Sequence, residues 1–174
     1  MKTKYTLIFW VIFASLLSQP IVANHIGYVD YDIPYTTHSW KVANEETKKD
    51  KGITTTVQLY VPYTDHSSKT MEFFGSSYSS EPGTPHDQAT LTNLLQNQFP
   101  NKQVNLNIIE SSPESVLYEW SVSQKGKESM HGWNRIFSKP EGTVMLGYVT
   151  QDVGNAASLR PIWIKALKDA KVKP

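Results

Sequence analysis

Between residues 103 and 150 four strand-like segments follow one another with only short polar breaks between them, and this spacing leaves few folds open to the chain. The segments are residues 103–110, 115–123, 129–138 and 143–150. The breaks are Ser111-Ser112-Pro113, Gln124-Lys125-Gly126-Lys127 and Lys139-Pro140-Glu141-Gly142, each with Pro or Gly among polar residues, as turns require. Connections this short cannot cross a sheet, so successive strands are expected to pair antiparallel as a meander.

Both faces of that meander carry apolar residues. Val116, Tyr118, Trp120 and Val122 share one face. Trp133 and Phe137 oppose Met130 and Ile136, and Val144, Leu146 and Tyr148 oppose Met145 and Val149. A sheet apolar on both sides needs a cover on each. Two helices are available for it. The first is expected to open at Thr84 as N-cap, with Pro85 at the first helical position and Asp87 in the first turn. Leu91, Leu94, Leu95 and Phe99 form its stripe, and Pro100 ends it. The second is expected from near Ser158, with Pro161 in its first turn and Trp163, Ala166, Leu167 and Ala170 as its stripe. Lys165, Lys168 and Lys171 lie outside that stripe as a basic face.

Three more strands are expected upstream, over residues 38–42, 53–61 and 70–76, with residues 44–52 as a charged, solvated loop. The expected fold class is therefore α+β: an antiparallel sheet of about six or seven strands with helices packed on both faces.

Lys2 and Lys4, an apolar run from Tyr5 to Leu17, and a small residue at Ala23 make the three-part pattern of a secretory signal peptide. The apolar run is shorter than the roughly 20 residues that span a bilayer. Residues 1–23 are expected to be removed, residues 24–37 to form an extended arm, and residues 38–174 to form one α+β domain. Tyr28, Tyr31 and Tyr35 are expected to pin the arm to the body. Removal of Lys2 and Lys4 lowers the 17 Lys and Arg to 15, against 16 Asp and Glu. So balanced a charge argues against a nucleic-acid partner. The chain has no Cys, which excludes disulfide staples, thiolate metal ligands and Cys nucleophiles.

The chemistry-bearing residues are few. No HExxH, GxSxG, P-loop or GxGxxG occurs, and no cofactor or metal is expected. Asp65-His66-Ser67 has the letters of a catalytic triad, but adjacent side chains cannot point at one another productively. His86 reads as part of a helix start, and Asn105 and Asn107 as solvent-facing strand positions. His131 stands out because it shares a strand face with Trp133 and Arg135, with Glu128 just upstream. Such a group could bind an anion or perform acid–base work. The structural alternative is a part-buried His and Arg held by carboxylates such as Glu119. The basic face made by Lys165, Lys168 and Lys171 could make a weak contact with an anionic surface.

Several segments resemble the Mog1/PsbP-like group of small exported proteins. They are Leu59-Tyr60-Val61-Pro62 with Met71-Glu72-Phe73-Phe74, then Glu110-Ser111-Ser112-Pro113 with Val116-Leu117-Tyr118-Glu119-Trp120. His131-Gly132-Trp133-Asn134-Arg135-Ile136, Gly147-Tyr148 and Pro161-Ile162-Trp163-Ile164 complete the set. The resemblance implies a sandwich that serves as a binding or assembly module, with no catalytic set to carry over. The expected function is thus that of a secreted or periplasmic bacterial binding protein acting on a protein, envelope or host component. The alternative is a secreted hydrolase of glycans or lipids with its site around His131 and Arg135.

Overall fold

Alternating side chains and left-handed turn residues together set the strand plan. The computed structural model describes residues 25–34, 39–63, 71–83 and 86–173, so the expected signal segment, Tyr35, His66, Thr84 and Pro85 lie outside the described residues. The strands among the described residues are β1 (His25–Ile26), β2 (Val29–Asp30), β3 (Ser39–Asp50), β4 (Ile53–Tyr63), β5 (Glu72–Ser79), β6 (Gln103–Ser112), β7 (Ser115–Gln124), β8 (Lys127–Lys139), β9 (Gly142–Thr150) and β10 (Lys171–Val172). Two α-helices are α1 (Gln88–Gln98) and α2 (Ala156–Asp169), the latter entered through a 3-10 turn at Val153–Asn155.

Seven strands form one antiparallel sheet in the order β3-β4-β5-β9-β8-β7-β6. The meander β3-β4-β5 is laid down first. The chain then crosses by α1 to the far edge and returns as β6-β7-β8-β9, and β9 closes against β5. β1, β2 and β10 form a second, three-stranded sheet. All four strands expected between residues 103 and 150 are present and somewhat longer.

The segment read as a solvated loop, residues 44–52, is instead the outer half of β3 and its turn. β3 pairs with β4 from Ser39 opposite Tyr63 to Asp50 opposite Ile53. Lys51 and Gly52 close the hairpin with φ of 49° and 85°. Two consecutive positive φ values give the tight turn whose twist matches the strands. Lys125 and Gly126, at φ 52° and 74°, repeat the device between β7 and β8.

The expected α+β sandwich with helices packed on both faces is corrected. Strands hold 58% of the described residues and helices 21%, in two antiparallel sheets with two α-helices. A helix of 11 residues is ~16 Å long, whereas seven strands span ~29 Å. The helices are too small to be the covering layers. On one face of the large sheet the cover is shared: Trp163 and Leu167 of α2 pack with Ile26, Val29 and Tyr31 of the arm over Trp133, Leu146 and Tyr148. On the other, α1 sets Leu91 and Leu95 on Val116, Tyr118, Trp120 and Val122, and Val57, Tyr63 and Met71 remain exposed on β4 and beside β5.

The helix starts differ from expectation by a turn or less. Asp87 is the N-cap of α1, its carboxylate accepting from the Thr90 N–H at 2.7 Å. α2 begins two residues before Ser158, which puts Pro161 in its second turn and leaves one carbonyl of the preceding turn without its usual donor. The helix ends at Asp169, so Lys171 belongs to β10 rather than to the helix face.

The arm is tied down by its tyrosines. Tyr28 donates to the carbonyl of Phe137 or Gly142, at 3.0 and 2.9 Å, and burial pushes its pKa up to about 12. Tyr31 is buried in a polar cluster with Gln58 Oε1 and Ser76 Oγ, each at 3.0 Å, and the Tyr60 hydroxyl at 3.2 Å.

Gly132 on β8 marks the tightest approach in the second core. A Cβ there would lie 2.6 Å from the Trp120 ring. That indole cannot retreat freely, because its N–H donates to Asn134 Oδ1 at 2.8 Å. Gly132→Ala is expected to lower stability by about 1–3 kcal/mol, read as a reduced urea midpoint. An unchanged midpoint would mean that the Trp120 side adapts.

Candidate functional site

β7 and β8 run side by side, with Glu119 opposite Trp133 and Ser121 opposite His131. Alternation therefore places Glu119, His131 and Trp133 on one face, and α2 adds Arg160 from above. Glu119 is the hub. Its Oε1 accepts from His131 Nε2 at 2.9 Å and from Trp133 Nε1 at 3.0 Å, and its Oε2 accepts from Arg160 Nε at 2.9 Å. Nδ1 of His131 meets Glu128 Oε1 at 2.7 Å. The imidazole also tilts against Trp133, with ring centroids 4.7 Å apart.

The electrostatics follow from these contacts. Burial alone would raise the Glu119 pKa, but hydrogen bonds from His131, Arg160 and Trp133, with the charge of Arg160, hold it below the usual carboxylate range. Glu119 is thus an anion whose oxygens are already engaged. The side chains of Glu119 and His131 are each 16% exposed, and Arg160 is the more open at 46%. Each imidazole nitrogen meets a carboxylate, which fixes the orientation of the ring. A general base has to reach its proton within hydrogen-bond distance.

Arg135 lies on the same face but four residues further along β8, and it serves a different purpose. Its Nη1 donates to the carbonyls of Leu167 and Lys168 at 2.9 and 3.0 Å. A cation on the last carbonyls of a helix satisfies orphan acceptors and opposes the helix dipole. The guanidinium also stacks on Phe137, 4.6 Å from the ring centre. A cleft of about 240 Å³ opens beside it, with Ser112, Ser115 and Lys139 in its wall. That volume falls below the roughly 300–1,000 Å³ of ordinary small-molecule sites.

Near the end of the chain two of the three lysines singled out in the sequence pair with carboxylates. Lys165 pairs with Asp169, and Lys168 with Glu110 at 2.9 Å. Lys171 sits opposite Asp30 in the β10–β2 register. The lysines expected on one helix face are thus split between two elements: Lys165 and Lys168 lie on α2, and Lys171 lies on β10. Among the described residues no cluster of His, Asp and Glu could hold a metal ion, and no helix is long and apolar enough to cross a membrane.

Of the residues singled out in the sequence, His131 and Trp133 are brought together, while Arg135 and Lys168 meet at the α2 terminus beside Glu110. Arg160 was not foreseen. Its spacing of three from Trp163 puts it beside the stripe of α2, but that spacing does not say which strand this side of the helix meets. No protein-family model, no curated protein and no solved structure matches this chain.

Proposed function

We propose that this protein is an exported bacterial binding protein, secreted or periplasmic, that engages a protein, envelope or host component without catalysing a reaction on it. The observation that carries this reading is the engagement of the groups gathered on β7 and β8, namely Glu119, His131 and Arg135. Both nitrogens of His131 face carboxylates, Glu119 holds three donors, and Arg135 closes the end of α2. A hydrolase would need such groups converging on open space, and a binding module can spend them on its scaffold. The signal-like segment at residues 1–23 supports export. The resemblance to the Mog1/PsbP-like group agrees with a binding role through the quoted segments, not through the arrangement of layers.

The test uses the purified protein and His131→Gln. Expected is a saturable, stoichiometric complex with a component of envelope or host extract that His131→Gln leaves intact, and no turnover of ester or glycoside substrates. Hydrolysis that disappears in His131→Gln would overturn the proposal and restore the hydrolase alternative.

A further inference from the structure

Among the described residues β3 stands at the edge of the seven-stranded sheet and pairs with β4 alone. An edge strand presents a row of backbone donors and acceptors to a further strand, and proteins usually blunt such edges with charges, Pro or bulges. The outer half of β3, from Asn44 to Asp50, has no Pro and no bulge, and its register with β4 is unbroken. The one irregularity lies between Val42 and Asn44. Glu45, Thr47, Lys48, Lys49 and Asp50 are all exposed.

The order of charges in this half-strand is symmetrical about Thr47: Glu45-Glu46 on one side and Lys48-Lys49 on the other. We infer that β3 is a self-pairing edge, joining two copies of this chain antiparallel about Thr47 into one continuous sheet. Pairing by a two-fold axis through Thr47 sets Glu46 opposite Lys48 of the second copy and Glu45 opposite Lys49. Each pair occurs twice.

Hydrogen-bond geometry and charge together select this register. Residues directly opposite in an antiparallel pair either both point their backbone groups across the gap or both point away. Two identical edges can therefore pair only about a residue, never about a peptide bond. Centring on Glu46 or Lys48 brings like charges face to face, as does centring on Glu45 or Lys49. Like charges directly opposite are destabilising, and opposite charges favourable. Within the half-strand, Thr47 is the centre that yields opposite charges alone. The charges that keep foreign strands away thus admit one partner.

Neighbouring contacts already hold these side chains in strand geometry. Lys48 Nζ lies 2.9 Å from Glu46 on the same face, and the Thr47 hydroxyl meets that of Thr56 at 3.0 Å on the other. Pairing would extend the first contact into a four-charge row running from one copy to the next.

Sedimentation of the purified protein over a concentration series tests this. The wild type is expected to pass from monomer to dimer, more weakly as salt is raised, because exposed pairs are screened. Two charge-reversed variants follow, Lys48→Glu with Lys49→Glu, and Glu45→Lys with Glu46→Lys. Each alone is expected to self-associate at least roughly tenfold more weakly, and an equimolar mixture is expected to recover the dimer. Circular dichroism verifies that each variant is folded. A wild type that stays monomeric at the highest concentration, a dimer that survives both reversals, or a mixture that fails to recover it would overturn the inference.

Discussion

Trp163→Ala is expected to be the most damaging single truncation in this protein, lowering stability by about 3–5 kcal/mol. Trp163 is fully buried at the centre of the larger core. It stacks on Tyr148 at a centroid distance of 3.9 Å and 12° between planes, and on Phe74 at 5.6 Å and 16°. Trp40 meets it edge-on at 5.8 Å. One side chain from α2 thus touches aromatic residues of β3, β5 and β9. Alanine would remove an indole's worth of buried area and leave a cavity whose rigid walls cannot collapse, since those rings are held by one another and by strand pairing. For a chain of this size the loss corresponds to a fall in melting temperature of roughly 2–4 °C per kcal/mol. Trp163→Phe keeps a ring against Tyr148 and is expected to cost much less. Equal midpoints for the two variants in urea unfolding would refute the central role of this stack.

Glu119→Ala is expected to cost about 2–3 kcal/mol, because it strands three donors at once. His131 Nε2, Trp133 Nε1 and Arg160 Nε all lose their acceptor. The figure is kept below that of a fully buried ion pair because Arg160 can turn to water. Glu119→Gln tests the charge separately from the shape. The folded-state pKa of Glu119 is depressed, so its contribution is fully present above the ordinary carboxylate value of about 4.3. It is lost as pH falls through the depressed folded value. The stability gap between wild type and Glu119→Gln is therefore expected to narrow as pH falls below about 4. Urea midpoints measured across that range decide the matter. A gap that persists unchanged at the acid end would show that the carboxylate's charge is not what stabilises the cluster.

The strands of the centre were legible because turn residues and alternation act locally. Gly126 makes its turn from its own backbone freedom, and Val116, Tyr118 and Trp120 declare a shared face by spacing alone. β3 was half lost for a physical reason. An edge strand exposed on both faces carries no apolar period, so Glu45-Glu46-Thr47-Lys48-Lys49 reads like a loop until its hydrogen bonds to β4 are seen. Pro161 misled in a similar way: the 3-10 turn at Val153–Asn155 lets α2 start early, and the proline then falls a turn deeper than propensity prefers. At the candidate site, Glu119 could be named as a partner for His131 because β7 and β8 are neighbours in sequence. Arg160 could not, since it reaches Glu119 across 41 residues from a different layer.

The sequence by itself determined which residues alternate, where the chain turns, and that two faces of a sheet would need covering. Only the tertiary structure decided what covers them. The larger core is closed by α2 together with the arm, whose Tyr28 finds its acceptors more than a hundred residues away, and not by a helical layer on each side. The same holds for His131 and Arg135. Their strand position was a local property, but whether they stand open or are consumed by Glu119, Glu128 and the end of α2 depended on where distant elements dock. Periodicity specifies a face, and only packing specifies the neighbour.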